Sequence, residues 1–251
     1  MSHTLRSGAV YNTPPPRRPR VQGPNVIHNR DYIVSNHSDI PLGLVRKKVA
    51  SCRLEFLDVG PIDEEDPNDP NRNNHTILRL TFLRQLGDDT PYAPIGTRGV
   101  ILDLEGMEAL NGTNTSILMM STFGYEGLHQ LALHSVEVPM GRDKSVWDCV
   151  RIIRSTGLVP CHLDPTNTEL VGCRDFVSQL IYQLNEHRFL RLPANANTTI
   201  FNHFNYRYNW IDGSAGSNKV LSSVAYALFR QSYQHVMIGG ITYTGTRQFI
   251  Q

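Results

Sequence analysis

From Ala50 to Gly60 the chain alternates, with Cys52, Leu54 and Phe56 on one side and Arg53 and Glu55 on the other. That two-residue period predicts a strand. The same period governs "HTILRLTFL": Thr76, Leu78, Leu80 and Phe82 share one face, and His75, Ile77, Arg79 and Thr81 the other. "GVILDLEG" sets Val100, Leu102 and Leu104 opposite Ile101 and Asp103, and strand-like runs follow at Ser116–Thr122 and Leu128–Val138. The period then changes. "RDKSVWDCVRIIRSTG" puts Val146, Trp147, Val150 and Ile153 at helical spacing, with Asp143 or Ser145 as N-cap and Gly157 as stop. A second helix runs through "GCRDFVSQLIYQL". Cys173, Phe176, Val177, Leu180, Ile181 and Leu184 form its apolar face, and Arg174, Asp175, Ser178, Gln179 and Gln183 take the other. "TTIFNHFNYRYNW" predicts a late strand, and "GSNKVLSSVAYALFRQSY" a third helix through Val220, Leu221, Val224, Leu228 and Phe229. Strands first and helices after, without internal repeats, predict an α+β domain whose antiparallel sheet packs on helices.

With 251 residues, 40% of them apolar, the chain suits one domain with a real core and a tail. Residues 1–47 read as a basic, Pro/Arg-rich extended or disordered segment, centred on "TPPPRRPRVQGP", and residues 48–251 as a single catalytic domain. A net charge of +1 creates no global field that would demand nucleic acid, yet residues 1–48 hold eight Lys/Arg against two Asp. No apolar run approaches the roughly 18 residues needed to span a bilayer. The first residues also lack the apolar stretch of a signal peptide. The expectation is a cytoplasmic protein without a membrane partner. Its four cysteines form no CxxC pair and read as reduced thiols, Cys52 and Cys149 as core.

Metal and cofactor signals are weak. The acidic stretch "PIDEEDPNDPNRNN" lacks calcium-loop spacing and reads as a solvated loop. "CHLD", from Cys161 to Asp164, has no second half to complete a zinc site. No Walker or dinucleotide glycine motif is present, so neither metal nor cofactor is expected. The aromatic cluster Phe201, Phe204, Tyr206, Tyr208 and Trp210 reads as core or sheet surface before substrate pocket.

Cys173 carries the chemistry of interest. It follows Gly172 at the first turn of a helix, where unsatisfied N–H groups favour a thiolate and could bind an oxyanion. A thiol nucleophile also needs a base, usually histidine. Of ten histidines, His3, His28, His37, His187 and His235 fall in loops or at helix ends, and His129 and His134 lie on an expected strand without an obvious partner. His75 opens a strand. Asp103 interrupts the apolar "VILDL", where an acid needs a partner. A carboxylate that orients an imidazole would satisfy both groups.

The order "NNHTILRL", "GVILDL", "GCRDFVSQL" resembles the circularly permuted papain-like enzymes, among them the lecithin retinol acyltransferase-like proteins and related thiol peptidases. It is most similar to a fungal family with an N-H-W strand, a V-x-L-D strand and a G-C-R-x-[WF]-V helix, over roughly Ser51 to Leu184. Thr76 departs from that pattern, which has an aromatic there. The resemblance implies Cys173 as nucleophile, His75 as base and Asp103 as orienting acid. Gly172, Arg174 and Asn74 become candidates for oxyanion binding or support. The family is also similar to fungal arginine-containing cyclodipeptide synthases of secondary metabolism. That implies aminoacyl-tRNA as activated acyl donor, a small amine or amino acid as acceptor, and a basic N-terminal segment suited to tRNA phosphates. Three functions stay open: a thiol acyltransferase, a thiol hydrolase acting as peptidase or amidase, and a non-enzymatic binding domain that kept the fold.

Overall fold

The alternating runs pair as antiparallel neighbours in one sheet. A computed structural model describes residues 31–34, 40–61, 65–66, 72–87, 90, 92–108, 114–159, 161–163, 172–211, 214–221, 227–229, 237–238 and 241–242. The basic stretch Thr13–Pro24, most of the acidic loop and Asp164 lie outside the described residues. The strands are β1 (Asp31–Ile33), β2 (Val49–Pro61), β3 (Arg72–Phe82), β4 (Gly99–Glu108), β5 (Asn114–Phe123), β6 (Ala132–Val138), β7 (Cys161–Leu163) and β10 (Ala227–Phe229). Their order across the sheet is β10-β7-β5-β4-β3-β2-β6, and β1 also pairs with β5. β8 (Tyr206–Ile211) and β9 (Ser214–Leu221) form a separate hairpin, as do β11 (Met237–Ile238) and β12 (Ile241–Thr242).

The helices are α1 (Leu42–Val45), α2 (Val146–Thr156), α3 (Gly172–Glu186) and α4 (Ala196–Thr199). α2 starts on a capping box in which Asp148 N–H donates to Ser145 Oγ and Ser145 N–H to Asp148 Oδ2. It stops at Gly157, whose φ of 67° is the left-handed C-cap conformation. One sheet face, through Leu54, Phe56, Leu78, Leu80, Val100, Leu102 and Met120, joins Val150 and Ile153 of α2 and Phe176, Leu180 and Leu184 of α3 in the main core. Each such side chain contributes about 1.5–3 kcal/mol by leaving water. At the start of β4 only glycine fits, because a Cβ on Gly99 would lie 2.1 Å from the Leu80 carbonyl oxygen.

Several expectations are corrected. The folded part begins before residue 48: β1 belongs to the sheet, and Val34, Ile40, Leu44 and Val45 are core. Among its described residues, the stretch 216–233 holds strand where the spacing predicts a helix. Its described residues are β9, which pairs with β8, and β10, which pairs with β7. Serines, an asparagine and β-branched valines are weak helix formers, and pairing edges outweigh the helical spacing. The late strand is confined to β8, because α4 and a 3-10 turn (Phe201–Asn205) precede it. Trp147 is 40% exposed, flanking the buried face of α2. The polar face of α3 is itself enclosed: Arg174, Asp175, Ser178 and Gln179 are all buried. α3 touches β3, α2, β10 and the 3-10 turn, so it is enclosed from several sides.

Candidate active site

β3 and β4 pair from Thr81↔Gly99 to Leu78↔Leu102, and no further pair joins them among the described residues. β2 follows β3 as far as Arg72, and β5 follows β4 as far as Glu108. The two central strands therefore part beyond Leu78 and Leu102. His75 and Asp103 lie in the parted segments, on the same face by alternation. His75 Nε2 and Asp103 Oδ1 are hydrogen-bonded across the gap, their side chains 23% and 27% exposed.

Cys173 is the second residue of α3, which packs on β3, and it is 5% exposed. Burial alone pushes its thiol up. The hydrogen bond and charge of His75, the backbone N–H of Thr76 and the charge of Arg174 outweigh burial and hold the thiol below its ordinary range. Burial would likewise lower His75, but Asp103 and Cys173 raise it to about 11. The two shifts run the same way, each group favouring its charged form because the other lies beside it. Asp103 engages Nε2, so Nδ1 is the ring nitrogen left for the sulfur.

The supporting candidates have distinct positions. Asn74 is buried, and its amide is bonded to the Tyr208 backbone in both directions: Nδ2 donates to the carbonyl at 3.0 Å, and Oδ1 accepts from the N–H at 2.6 Å. It braces the strand residue before His75, and both ends of its amide serve that brace. Arg174 is 2% exposed, and its charge is felt by both Cys173 and the Tyr208 phenol. Gly172 is the first residue of α3. Thr76, the departure from the resembled pattern, is fully buried, and its hydroxyl has no hydrogen-bond partner among the described residues.

Sequence reasoning missed several neighbours. Tyr208 lies 134 residues from Asn74. Its ring stacks on His134 at 4.1 Å, and its hydroxyl bonds His203 Nδ1 at 2.8 Å. On the sheet face shared with His75, Glu55 and Arg79 form a buried ion pair at 3.0 Å, and Arg79 lies over the rings of Phe123 and Tyr125. His129 precedes β6 instead of lying on it, and its N–H donates to Glu55 Oε2 at 3.1 Å. No local signal marks these contacts.

His187 is exposed just past α3, and His3, His28, His37 and His235 lie outside the described residues. Cys52, Cys149 and Cys161 are buried, and burial pushes each thiol up. Phe201, Phe204 and Tyr208 are core residues. Among the described residues no cluster of three or more His, Cys, Asp or Glu could hold a metal ion. No described helix is long and apolar enough to cross a membrane. No protein-family model matches the chain, and no curated protein or solved structure matches it significantly.

Proposed function

We propose that the chain is a cysteine-nucleophile acyltransferase of the permuted papain-like kind, with Cys173, His75 and Asp103 as its triad. One observation carries the reading: a buried thiol held below its ordinary range by an imidazole that is bonded to a carboxylate. The Cys173 thiolate attacks the carbonyl carbon of an activated acyl donor. The tetrahedral oxyanion forms beside the first-turn N–H groups of α3, and His75 gives its proton to the departing alcohol as the thioester forms. An amine then attacks the thioester, neutral His75 takes the amine proton, and the thiolate departs. Asp103 holds the ring and stabilises its cationic form. Following the resemblance, the donor is aminoacyl-tRNA and the acceptor the amine of an amino acid. Where that amino acid is itself esterified to tRNA, the free amine of the resulting dipeptidyl ester closes the ring with loss of the second tRNA, giving a cyclodipeptide containing arginine. The setting for a reduced thiol and charged tRNA is the cytoplasm. The sulfur's small exposure favours transfer to a bound amine over attack by bulk water.

The part-exposed His75 ring supports a second reading, a thiol hydrolase in which water replaces the amine. Intact mass after incubation with a pool of aminoacyl-tRNAs separates the readings. The transferase should show an aminoacyl adduct that Cys173→Ala lacks, and amine should convert it to amide product. Release of free acid alone, equally fast without amine, supports the hydrolase. Full turnover by Cys173→Ala would sink both, and absence of any adduct or turnover would leave a binding domain.

A further inference from the structure

α3 ends far from the triad, about 20 Å along its axis from Cys173. There an open cleft of ≈ 390 Å³ is lined by Arg142, Lys144, Arg188 and Arg191 over Leu190 and Leu192, without a carboxylate in its lining. The three arginines are exposed and make no ion pair among the described residues. Lys144 also lies near Asp148 of α2, so the arginines carry most of the uncompensated charge.

The backbone holds these cations together. Gly141 N–H donates to Phe189 O at 2.8 Å, Arg191 N–H donates to Pro139 O at 2.9 Å, and Met140 bridges to Leu190. A Cβ on Gly141 would lie 2.6 Å from Arg188 O, so the segments of Arg142 and Arg188 are pressed side by side. Leu192 N–H donates to Asn185 Oδ1 at 3.0 Å, tying the next turn to α3. Among the described residues, only Asp143 and Arg188 are left-handed without being glycine, at φ 56° and 58°; Arg188 lines this cleft, and Asp143 stands in the chain between its lining residues Arg142 and Lys144. Arg188 stands where a helix terminus favours glycine, with Phe189 N–H bonded to Leu184 O behind it. A strained cation in place of an unstrained glycine points to a use for the charge.

We propose that this cleft binds a ligand bearing two or more phosphates, which the arginines grip as bidentate donors. The phosphates could belong to a small polyphosphate or to successive phosphodiesters of a nucleic-acid strand, and their chemistry in the cleft is the same. The site is separate from the triad and does not depend on the acyltransferase reading.

The test is titration calorimetry of the full chain with inorganic tripolyphosphate and with a single-stranded RNA oligonucleotide, at several salt concentrations. Saturable binding that weakens with salt is expected. Arg142→Gln/Arg191→Gln should weaken it about tenfold or more, since hydrogen bonds to charged groups are among the stronger ones. Arg188→Gly should raise the melting temperature and still weaken binding, a pair of changes that a merely structural arginine would not give. A steeper salt dependence for RNA, reduced by the same substitutions, identifies a strand as the source. Tripolyphosphate binding alone identifies a small polyphosphate. Cys173→Ala should bind as wild type. The proposal is overturned by absence of saturable binding, by unchanged affinity in the arginine variants, or by loss of binding in Cys173→Ala, which would move the anion to the thiol site.

Discussion

Cys173 at the start of α3 and Cys149 within α2 are both buried, 5% and 1% exposed, and burial pushes both thiols up. In α2 only the nearby Asp148 charge adds to that push. In α3 an imidazole, a backbone N–H and a guanidinium oppose burial and reverse it. Depth therefore does not decide whether a cysteine is inert. What faces the sulfur decides, and a thiolate can exist inside a protein where three donors or cations converge on it.

Removing the imidazole breaks this contrast most completely. His75→Ala should move Cys173 toward the behaviour of Cys149, leaving only the Thr76 N–H and the Arg174 charge against burial. Native alkylation by iodoacetamide at pH 7 should then slow about 100-fold or more, read by peptide mapping. The sign of the pH dependence follows. In the wild type the imidazole and the Arg174 charge hold the Cys173 thiol below its ordinary range, so Cys173 should label at lower pH than the other cysteines, and its labelling should fall as acid protonates the sulfur. Cys149 and Cys161, both pushed up, should label only in strong base or on unfolding. Equal native labelling of all four cysteines would refute the contrast.

Asp103→Asn is the next step down. It keeps a hydrogen-bond partner for Nε2 but removes the charge that supports imidazolium, so acyl-transfer kcat should fall about 10²–10⁴-fold with melting temperature less affected. Asn74→Ala acts at a distance. It leaves the Tyr208 N–H and carbonyl without their bonds to the amide, which should cost roughly 2–4 kcal/mol in urea unfolding and lower kcat by loosening β3. The smallest effect sharpens the picture around the sulfur. Thr76→Val removes a buried hydroxyl that has no partner among the described residues while keeping the N–H that faces Cys173, so stability should rise by about 1 kcal/mol with labelling unchanged.

The strands carrying His75 and Asp103 and the helix carrying Cys173 were legible because each has a local period in its side chains. The triad order was legible because unusual polar residues interrupt those periods. The bracing was not. The Asn74–Tyr208 contact joins residues 134 apart, and the Glu55–Arg79 pair is buried on a strand face whose alternation says nothing of solvent. The burial of the polar stripe of α3 was illegible for the same reason: amphipathic spacing tells which face is apolar, not whether the other meets water. The expected last helix became strands because apolar residues at helical spacing also serve a sheet edge when a partner strand waits, as β7 does for β10.

The enclosure of α3 bears on the life of the nascent chain. β3 and β4 leave the ribosome about 65 to 101 residues ahead of the thiol, and they can pair early with β2 and β5. Cys173 arrives later, and Tyr208, which Asn74 grips, later still. Until then the sulfur is an ordinary thiol, mostly protonated at neutral pH and a poor target for oxidants. The environment that lowers the Cys173 thiol is thus completed only with the fold, so a chain stalled before β8 carries Cys173, His75 and Asp103 without the brace behind His75.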